Sequence, residues 1–356
     1  MRMFLTNCRR NKRALFICLM SLLLICALLT IDKELCFKIM ELRRINHICK
    51  MYRNKQYSGS LCEEICSDAT PFINYKCDFG KAVPFIAERN GEAIEFRRAS
   101  KINDDLSWKD SSGGLILPKI DDFHHIIKLH IMINYNVTLE ENMIKILINQ
   151  EIDENNPKQM LNFWRLFKDN TYLMSKLFDD ESIFPTIIGS CGPYYVVENL
   201  RLPKIGNIFT RNFRYGLNEQ ELLKKLFDFI IRLDIIRPDP LKICKIDLNN
   251  FGLTTDLRLK ALNADYIQIE SQVNRRLASG QTCQRNEDCD WHQCRGSCDK
   301  EKHICNGIQR NDNFDVFCNY IMANLKRFTT ASSITQTYQN KCLQRKFGNK
   351  PKDFGD

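Results

Sequence analysis

Residues 283–305 read CQRNEDCDWHQCRGSCDKEKHIC, so five cysteines fall within one short stretch of the chain. Another follows in Phe317-Cys318-Asn319-Tyr320. Such short spacings can build either a tetrahedral zinc–thiolate site or a set of disulfide bonds. Of the 17 cysteines in the 356-residue chain, fourteen lie from Cys36 onward, after a hydrophobic segment. An even, clustered set in that position favours disulfides formed in an oxidising compartment over a metal site. The predicted disulfide cysteines are Cys62, Cys66, Cys77, Cys191, Cys244, Cys283, Cys289, Cys294, Cys298, Cys305, Cys318 and Cys342.

The hydrophobic segment, residues 14–31, reads ALFICLMSLLLICALLTI and contains no charged residue. As a helix it would be roughly 27 Å long, which is enough to cross a thin bilayer. No small-residue cleavage site closes it, so an uncleaved signal anchor is favoured over a cleaved signal peptide. Basic residues flank both ends, and the positive-inside rule therefore barely decides the orientation. Because most cysteines lie C-terminal to the segment, we predict a single-pass type II protein whose C-terminal domain faces the lumen.

Two short motifs bear on this topology. Asn136-Val137-Thr138 is a glycosylation sequon, which is usable only on the luminal side. Arg9-Arg10, in the short cytosolic tail, fits an endoplasmic-reticulum retrieval signal and fits a simple topology-setting charge equally well.

The overall composition is that of a globular protein, with 44% hydrophobic and 27% charged residues. Lysine and arginine total 52 against 43 acidic residues, and the resulting charge of +9 is spread thinly along the chain. A nucleic-acid-binding protein would concentrate that charge in a recognisable module. We find none, so we expect no nucleic-acid partner.

The order of predicted elements indicates two lobes. Alternating apolar runs predict a hairpin over residues 82–97 that turns at Asn90-Gly91. Helical periodicity follows over residues 123–147 and from Lys158 toward Leu177. A second hairpin, a long amphipathic helix and a small hairpin come next; they are predicted over residues 186–198, 221–236 and 251–262. We predict an α+β fold with a small β-rich lobe before a helical lobe, an order that protein kinases share with other α+β proteins.

Three motifs make the comparison with kinases more specific. They are YSGSLCEEIC at residues 57–66, IGSCGPYYVVE at residues 188–198, and Cys244 shortly before Asn250-Phe251-Gly252. Together with the cysteine-rich block, these motifs resemble the divergent protein kinase domain 1 family, also called family with sequence similarity 69. The resemblance covers roughly residues 57–342. It implies a cysteine-rich, single-pass endoplasmic-reticulum membrane protein with a divergent, disulfide-stapled, two-lobed protein-kinase-like fold in the lumen.

This resemblance suggests how the chain divides. The expected segments are a cytosolic tail (1–13), a transmembrane signal anchor (14–31), a luminal stem (32–60), an N-lobe with a helical insert (61–200), a C-lobe (201–345) that includes the cysteine-rich segment 283–318, and a tail (346–356).

The resemblance also implies where a phosphoryl-transfer site would lie, since that chemistry is mostly positioning and electrostatics. The position of the phosphate-holding strand lysine is occupied by Arg97, which keeps the charge but not the ammonium geometry. Asn250 matches the metal-binding asparagine of the catalytic loop. Counting back to the catalytic aspartate gives Lys245, with Asp247 two residues away.

Two further positions also lack the residue that a kinase needs there. The Mg²⁺-binding aspartate is replaced by Asn263, with Asp265 two residues away, and a neutral amide binds Mg²⁺ less well than a carboxylate. The helix that should supply a glutamate partner begins with Lys158 and Gln159. Weak catalytic candidates are therefore Asp247 and Asp265, and weak nucleotide or metal candidates are Arg97, Asn250 and Asn263. All of them also fit ordinary strand and turn positions.

Three other patterns in the sequence resemble functional motifs or suggest a disulfide. We do not expect the Asp-Phe-Gly triplets at 78–80 and 353–355 to be the metal-binding motif of a kinase. The first precedes every other predicted kinase element, and the second lies at the end of the chain. Residues 148–158 lack the spaced carboxylates and central glycine of a calcium loop, so we expect none there. Cys191 and Cys244 lie near the implied hinge and catalytic loop, and a bridge between them is attractive, although spacing does not establish it.

We therefore predict an endoplasmic-reticulum luminal, membrane-anchored, kinase-like glycoprotein that acts without catalysis, as a pseudokinase or binding scaffold. The first alternative is an active atypical kinase that uses ATP and Mg²⁺ to phosphorylate luminal or secreted proteins. The second is a cell-surface or secreted ligand or adhesion protein. The membrane is the one partner that the sequence identifies.

Overall fold

The structure, a computed structural model, describes residues 20, 43–67, 73–76, 85–99, 106, 108–109, 111–112, 115–149, 151–152, 156–201, 219–237, 239–323 and 333–346. The predicted anchor at 14–31 falls outside them apart from Met20, as do Cys77 and both Asp-Phe-Gly triplets. Among the described residues, no helix combines the length and the apolar character that a membrane span needs.

The predicted hairpins and helices occur in the predicted order, together with further short elements. The helices are α1 (43–53), α2 (Cys62–Cys66), α3 (Ile120–Tyr135), α4 (Glu141–Asn149), α5 (Pro157–Lys168), α6 (Asn170–Leu177), α7 (Glu219–Ile235), α8 (Glu270–Leu277), α9 (Asn313–Ala323) and α10 (Ser333–Lys346). The strands are β1 (Ile73–Lys76), β2 (Phe85–Arg89), β3 (Glu92–Arg98), β4 (Trp108–Lys109), β5 (Leu115–Ile116), β6 (Ile187–Cys191), β7 (Tyr194–Glu198), β8 (Leu241–Ile243), β9 (Phe251–Leu253), β10 (Leu259–Ala261), β11 (Ile267–Ile269), β12 (Cys298–Asp299) and β13 (Ile304–Cys305).

The first lobe is built on a five-stranded antiparallel sheet in the order β1-β2-β3-β7-β6. The predicted hairpin turn joins β2 to β3: Asn90 and Gly91 have φ values of 53° and 81°, as a tight two-residue hairpin requires. The second predicted hairpin is β6–β7, which turns at Gly192 with φ of 60°. The mixed helix and strand content and the order of the lobes agree with the predicted kinase-like fold.

The helical stretch from Lys158 toward Leu177 is two helices rather than one. Asp169 ends α5 with an extended backbone, and its side chain accepts a hydrogen bond from the backbone N–H of Tyr172. An aspartate in this position caps a new helix, because it satisfies an N–H group that has no partner within the helix. The apolar periodicity continues across the break, so the pattern alone did not reveal it.

The second lobe packs around α7. Its apolar stripe (Leu226, Phe229, Ile230 and Leu233) is fully buried in the main core of the molecule. The predicted small hairpin is present as β9–β10, with Gly252 opposite Lys260. A second pair, β8–β11, was not predicted, because its two strands are separated in the sequence by the β9–β10 hairpin and no turn joins them.

Six disulfide bonds connect the described cysteines, and the predicted disulfide-stapled fold is confirmed. They are Cys49–Cys66, Cys62–Cys191, Cys244–Cys294, Cys283–Cys298, Cys289–Cys305 and Cys318–Cys342. The suggested Cys191–Cys244 bridge is wrong. Cys191 ends β6 and faces α2 across a Cα–Cα distance of 4.8 Å, whereas Cys244 lies at the same distance from Cys294 in the cysteine-rich segment.

Part of the predicted stem belongs to the folded lobe. Ile45 and Ile48 of α1 are buried in the same cluster as Phe96 of the sheet, and Cys49 ties α1 covalently to α2. The next residues lie against the β6–β7 hairpin, where the N–H of Gly192 donates to the carbonyl of Ser58 at 2.8 Å. Helices α1 and α2 therefore pack on the sheet and form part of the core of the first lobe.

Glu151 is a buried acid at the contact between β6, α6 and the segment that follows α1. Its carboxylate accepts hydrogen bonds from the hydroxyl of Ser190 on β6 and, at 3.1 Å, from that of Tyr172 on α6. Its carbonyl accepts a hydrogen bond from Ser58. Burial raises the pKa of Glu151 above its usual 4.5, against the hydrogen bond from Ser190 and the nearby charge of Lys176. The fold therefore favours the protonated form more than the unfolded chain does.

Glu151 should make the stability of the protein depend on pH. A carboxyl whose pKa is raised by folding stabilises the native state fully below its unfolded pKa, and this contribution is lost as pH rises through the folded pKa. We expect the free energy of unfolding to fall as pH rises above 4.5. In Glu151→Gln this slope should be reduced, as measured by chemical denaturation across pH. Glu301→Gln, at an exposed position, serves as the control; equal slopes in all three proteins would contradict the assignment.

The disulfides should differ in how much they stabilise the fold. Cys62–Cys191 closes a loop of 129 residues, whereas Cys283–Cys298 closes one of 15. By loop-closure entropy, their removal costs roughly 5 and about 3 kcal/mol respectively. We expect the Cys62→Ser/Cys191→Ser variant to unfold at a lower denaturant concentration than Cys283→Ser/Cys298→Ser. The reverse order would show that the first bridge does not hold α2 on the sheet.

Candidate functional site

The residues that the kinase comparison singles out lie along one boundary between the lobes. We call this boundary, formed by β3, residues 198–201, 244–250 and 259–265, the lobe seam. The backbone N–H of Leu262 donates to the carbonyl of Asn250 at 2.8 Å, which joins the last two of these segments. The seam therefore brings Arg97 and Asn250 to either side of Leu262, directly before Asn263.

Arg97 crosses the seam with its donors already bound. Its Nε donates to Glu95 on the same strand at 2.8 Å, and its Nη1 donates to the carbonyl of Leu262 at 2.5 Å. The two side chains of the ion pair are 13% and 11% exposed, so the pair is largely desolvated. Burial lowers the pKa of Arg97, but the attraction of Glu95 and Tyr195 outweighs it and the pKa is raised. The cation is thus permanently charged and internally neutralised.

A hydrogen-bonded chain continues from Arg97 into the helices. Tyr195 bonds to Arg97 and its hydroxyl donates to Asp169 at 3.3 Å. Burial, followed by the charge of Asp169, raises the pKa of Tyr195 far above its usual range, so the phenol stays protonated. The helix that should supply a glutamate partner begins with Lys158 and Gln159, so the balancing charge comes from elsewhere. The carboxylates that balance Arg97 are Glu95, directly, and Asp169, through Tyr195.

A second buried cation lies on the same seam. The ammonium of Lys260 on β10 is 2.5 Å from Glu198 at the end of β7 and 3.2 Å from the hydroxyl of Thr186. The Lys260 side chain is only 3% exposed, and a buried lysine is normally paired in this way. The sequence analysis missed it, although a lysine between Leu259 and Ala261 in an apolar strand is a recognisable signal of a paired, buried cation.

Backbone pairing closes the seam at its hinge. Arg201 and Leu253 exchange two hydrogen bonds, of 2.9 and 2.7 Å, so the segment after β7 is bound to β9. The chains are so close here that a Cβ on Gly252 would lie 2.4 Å from the Cβ of Leu200. Only glycine permits that approach.

The loop that matches a catalytic loop is held by structural contacts. Cys244 is bonded to Cys294, and its carbonyl accepts from the N–H of Gln293 at 2.7 Å. Lys245, at the position of the catalytic base, places its ammonium 4.9 Å from the centre of the Tyr266 ring. Asp247 caps the short 3₁₀ helix Leu248–Asn250 by accepting from the N–H of Asn249 at 3.1 Å.

The residues at the metal-binding position are also engaged locally. The side-chain oxygen of Asn263 accepts from the N–H of Asp265 at 3.2 Å. Ala264, between them, is hydrogen-bonded to α6 through Asn170 and Thr171. Asp265 itself is exposed. All four candidates therefore lie in the seam segments, but Asp247 caps its own turn and the side chain of Asn263 is bound within its own turn.

These residues do not fit Mg–ATP. Mg²⁺ prefers carboxylate oxygens, but Asn263 offers a neutral amide where a kinase has an aspartate, and its oxygen already accepts a backbone hydrogen bond, so Asn250 has no carboxylate beside it at the matching position. The cation that would hold phosphate is bound to Glu95 and to Leu262. The arrangement is that of a packed interface between lobes, and we derive no phosphoryl-transfer step from it.

The cysteine-rich segment decides between the zinc and disulfide alternatives. The sulfur atoms of Cys283, Cys289 and Cys298 lie within 4.8 Å of one another, as in a metal site. Each of them is bonded to another cysteine, and a disulfide sulfur is not the thiolate that zinc requires. The cluster is a pair of adjacent buried disulfides, and Cys294 of the same segment bonds to Cys244 at the start of loop 244–250.

A cleft of about 300 Å³ lies away from the seam, between α3 and α4. Its lining includes Asp121, His124, Lys128, Glu141 and Lys145. The Nε2 atom of His124 is buried and has no hydrogen-bond partner. The lining mixes two acids with two lysines, which gives the cleft no net preference for a charged ligand.

The ion pair on β3 should be a strong determinant of stability. Arg97→Ala leaves the carboxylate of Glu95 buried without its partner, which costs about 3–5 kcal/mol. Arg98→Ala is the matched control, because Arg98 is the next residue of the strand and is exposed. We expect equilibrium denaturation to show a large loss of stability for the first variant and less than about 1 kcal/mol for the second. Similar losses in both would mean that the Arg97 bonds do not form.

Comparison with known protein families agrees with this geometry. A family model described as the protein-kinase domain of FAM69 matches residues 163–345, and one described as the N-terminal cysteine-rich endoplasmic-reticulum segment of FAM69 matches residues 7–150. No curated protein and no solved structure matches the chain. The first match includes Asp169 and the seam residues from Glu198 to Asp265, and the second includes Glu95 and Arg97. The chain belongs to FAM69, the family with sequence similarity 69, and its C-terminal half is the kinase-like domain of that family.

Proposed function

We propose that this protein is a membrane-anchored pseudokinase of the endoplasmic-reticulum lumen, which acts by binding other proteins and not by transferring phosphate. The observation that carries the proposal is the state of Arg97. Its guanidinium is bound to Glu95, Leu262 and Tyr195, so the charge that a kinase directs at phosphate is directed at the protein itself.

The surroundings of Arg97 support the same function. An amide, Asn263, replaces the carboxylate at one of the two metal positions, and Lys245 stands where a catalytic base is needed. Loss of a positioned base alone reduces the rate of a reaction about 10²–10⁴-fold. The Lys260–Glu198 ion pair and the Arg201–Leu253 backbone pair link the two lobes directly. A seam with these contacts supplies a rigid platform, as a scaffold requires.

Two further features support the luminal location. Disulfides persist in oxidising compartments, and all twelve cysteines among the residues that the structure describes form disulfides. The sequon residue Asn136 is exposed at the C-terminal end of α3, with φ of 52°, where a glycosylating enzyme could reach it. An apolar segment at residues 14–31 would anchor this domain to the membrane.

Nucleotide binding tests the proposal directly. Binding of ATP at about 100 times its Kd would stabilise the protein by roughly 2.7 kcal/mol, which raises the unfolding temperature by several degrees. We expect no such shift for the full-length chain in detergent, with or without Mg²⁺, and no transfer of γ-phosphate. Asp247→Ala should behave like the unmodified chain in both measurements.

An active kinase would give the opposite pattern. It would show Mg²⁺-dependent stabilisation by ATP and phosphate transfer that Asp247→Ala abolishes, and this result would overturn the proposal. Exposed Asp256→Ala is the control for an unspecific loss of activity, because Asp256 lies in the β9–β10 turn and bonds only to its own turn.

A further inference from the structure

Helix α1 has two faces of opposite character. The inner face, formed by Ile45, Ile48 and Cys49, is buried in the core of the first lobe. The disulfide Cys49–Cys66 fixes this face to α2. At the C-terminal end of the helix, the carbonyl of Lys55 accepts a hydrogen bond from the side chain of Asn156 at 2.6 Å. The helix is thus held rigidly in the lobe, and its outer face has a defined direction.

The outer face is basic. Arg43, His47, Lys50 and Arg53 are all exposed, and positions 43, 47 and 50 follow one another on the same side of a helix. No aspartate or glutamate occurs between Leu42 and Leu61, whereas five lysines and arginines do. Among the described residues, no ion pair involves a cation of this helix. The charge of the outer face is therefore not neutralised by the parts of the protein that are described.

The position of α1 in the chain identifies a surface that must lie near it. Only residues 32–42 separate α1 from the predicted membrane segment. Eleven residues span at most roughly 40 Å even when fully extended. A domain of this length has a diameter of roughly 50 Å. The end of α1 is thus held closer to the bilayer than the width of the domain that it belongs to.

We propose that the outer face of α1 docks on anionic phospholipid headgroups of the membrane that anchors the chain. This inference rests on the anchor in the proposed function and goes beyond it, because it assigns the orientation of the kinase-like domain on the bilayer. Lysines and arginines next to a membrane segment are attracted to anionic lipid, and the attraction acts over about 8 Å at physiological ionic strength. A rigid helix that is joined to the membrane segment by a tether of at most roughly 40 Å can reach that distance without any rearrangement of the lobe.

Hydrogen exchange of the full-length chain in lipid nanodiscs tests the docking. The amides of residues 43–53 are compared in phosphatidylcholine alone and in a mixture with phosphatidylserine. We expect exchange to slow roughly tenfold in the mixture, because each basic residue near the surface adds to the attraction, and we expect high salt to remove the difference. Equal exchange in the two lipids would overturn the proposal.

Charge reversal supplies the matched variants. Arg43→Glu/Lys50→Glu/Arg53→Glu should lose the lipid-dependent slowing, whereas Lys224→Glu/Lys300→Glu/Lys302→Glu should keep it. Both triple variants change the net charge equally, and all six positions are exposed. Retention of the slowing in the first variant, or its loss in both, would contradict a specific role of α1. Slowing by a polyglutamate peptide but not by phosphatidylserine would assign the face to an acidic protein instead.

Alkaline carbonate extraction separates this inference from the anchor. A chain that resists extraction but shows no lipid-dependent exchange refutes docking and leaves the anchor intact. A chain that is extracted refutes the anchor. Flotation of that chain with phosphatidylserine vesicles then measures whether the basic face binds the lipid without an anchor. Failure to float would contradict docking.

Discussion

The bonds of Arg97 are the constraint around which the lobe seam is organised. A guanidinium that is 13% exposed needs a carboxylate and further acceptors, because an unpaired buried charge is strongly destabilising. Glu95 supplies the carboxylate from the same strand, and Leu262 supplies a carbonyl from the opposite lobe. Satisfying one side chain therefore fixes the distance between the sheet and the segment before Asn263. The cation at the position of the kinase lysine is therefore one of the contacts that join the lobes.

The disulfides complete this arrangement from the outside. Cys191 ends β6 at the hairpin, and Cys244 begins the loop that contains Asp247, so two of the six bonds are attached to elements that frame the seam. Covalent links restrict the unfolded chain and support loops that have little core of their own. The adjacent Cys283–Cys298 and Cys289–Cys305 bonds give the segment behind that loop a small sulfur-rich core. The loop that contains Asp247 is therefore restricted in conformation, as the surface of a rigid binding protein would be.

The sequence predicts those parts of the fold that local turns and periodicity specify. The Asn90-Gly91 turn, the β6–β7 hairpin and the apolar stripe of α7 follow from turn chemistry and periodicity, and the structure contains all three. The break at Asp169 was not predicted, because the apolar pattern runs through it. The β8–β11 pair was not predicted, because the β9–β10 hairpin lies between its strands in the sequence. The bridge suggested between Cys191 and Cys244 was wrong for a related reason: a pairing depends on which elements meet in space.

The sequence by itself determined the disulfide-rich, two-lobed character of the protein and its likeness to FAM69, since cysteine number, spacing and turn residues are local properties of the chain. It also showed that the expected phosphate-binding and metal-binding positions hold Arg97, Asn250 and Asn263. Only the tertiary structure decided that Arg97 is bound by Glu95 and Leu262 and that Lys260 is buried against Glu198. Partners that come from distant segments are selected by packing and desolvation, and neither is visible in the order of residues.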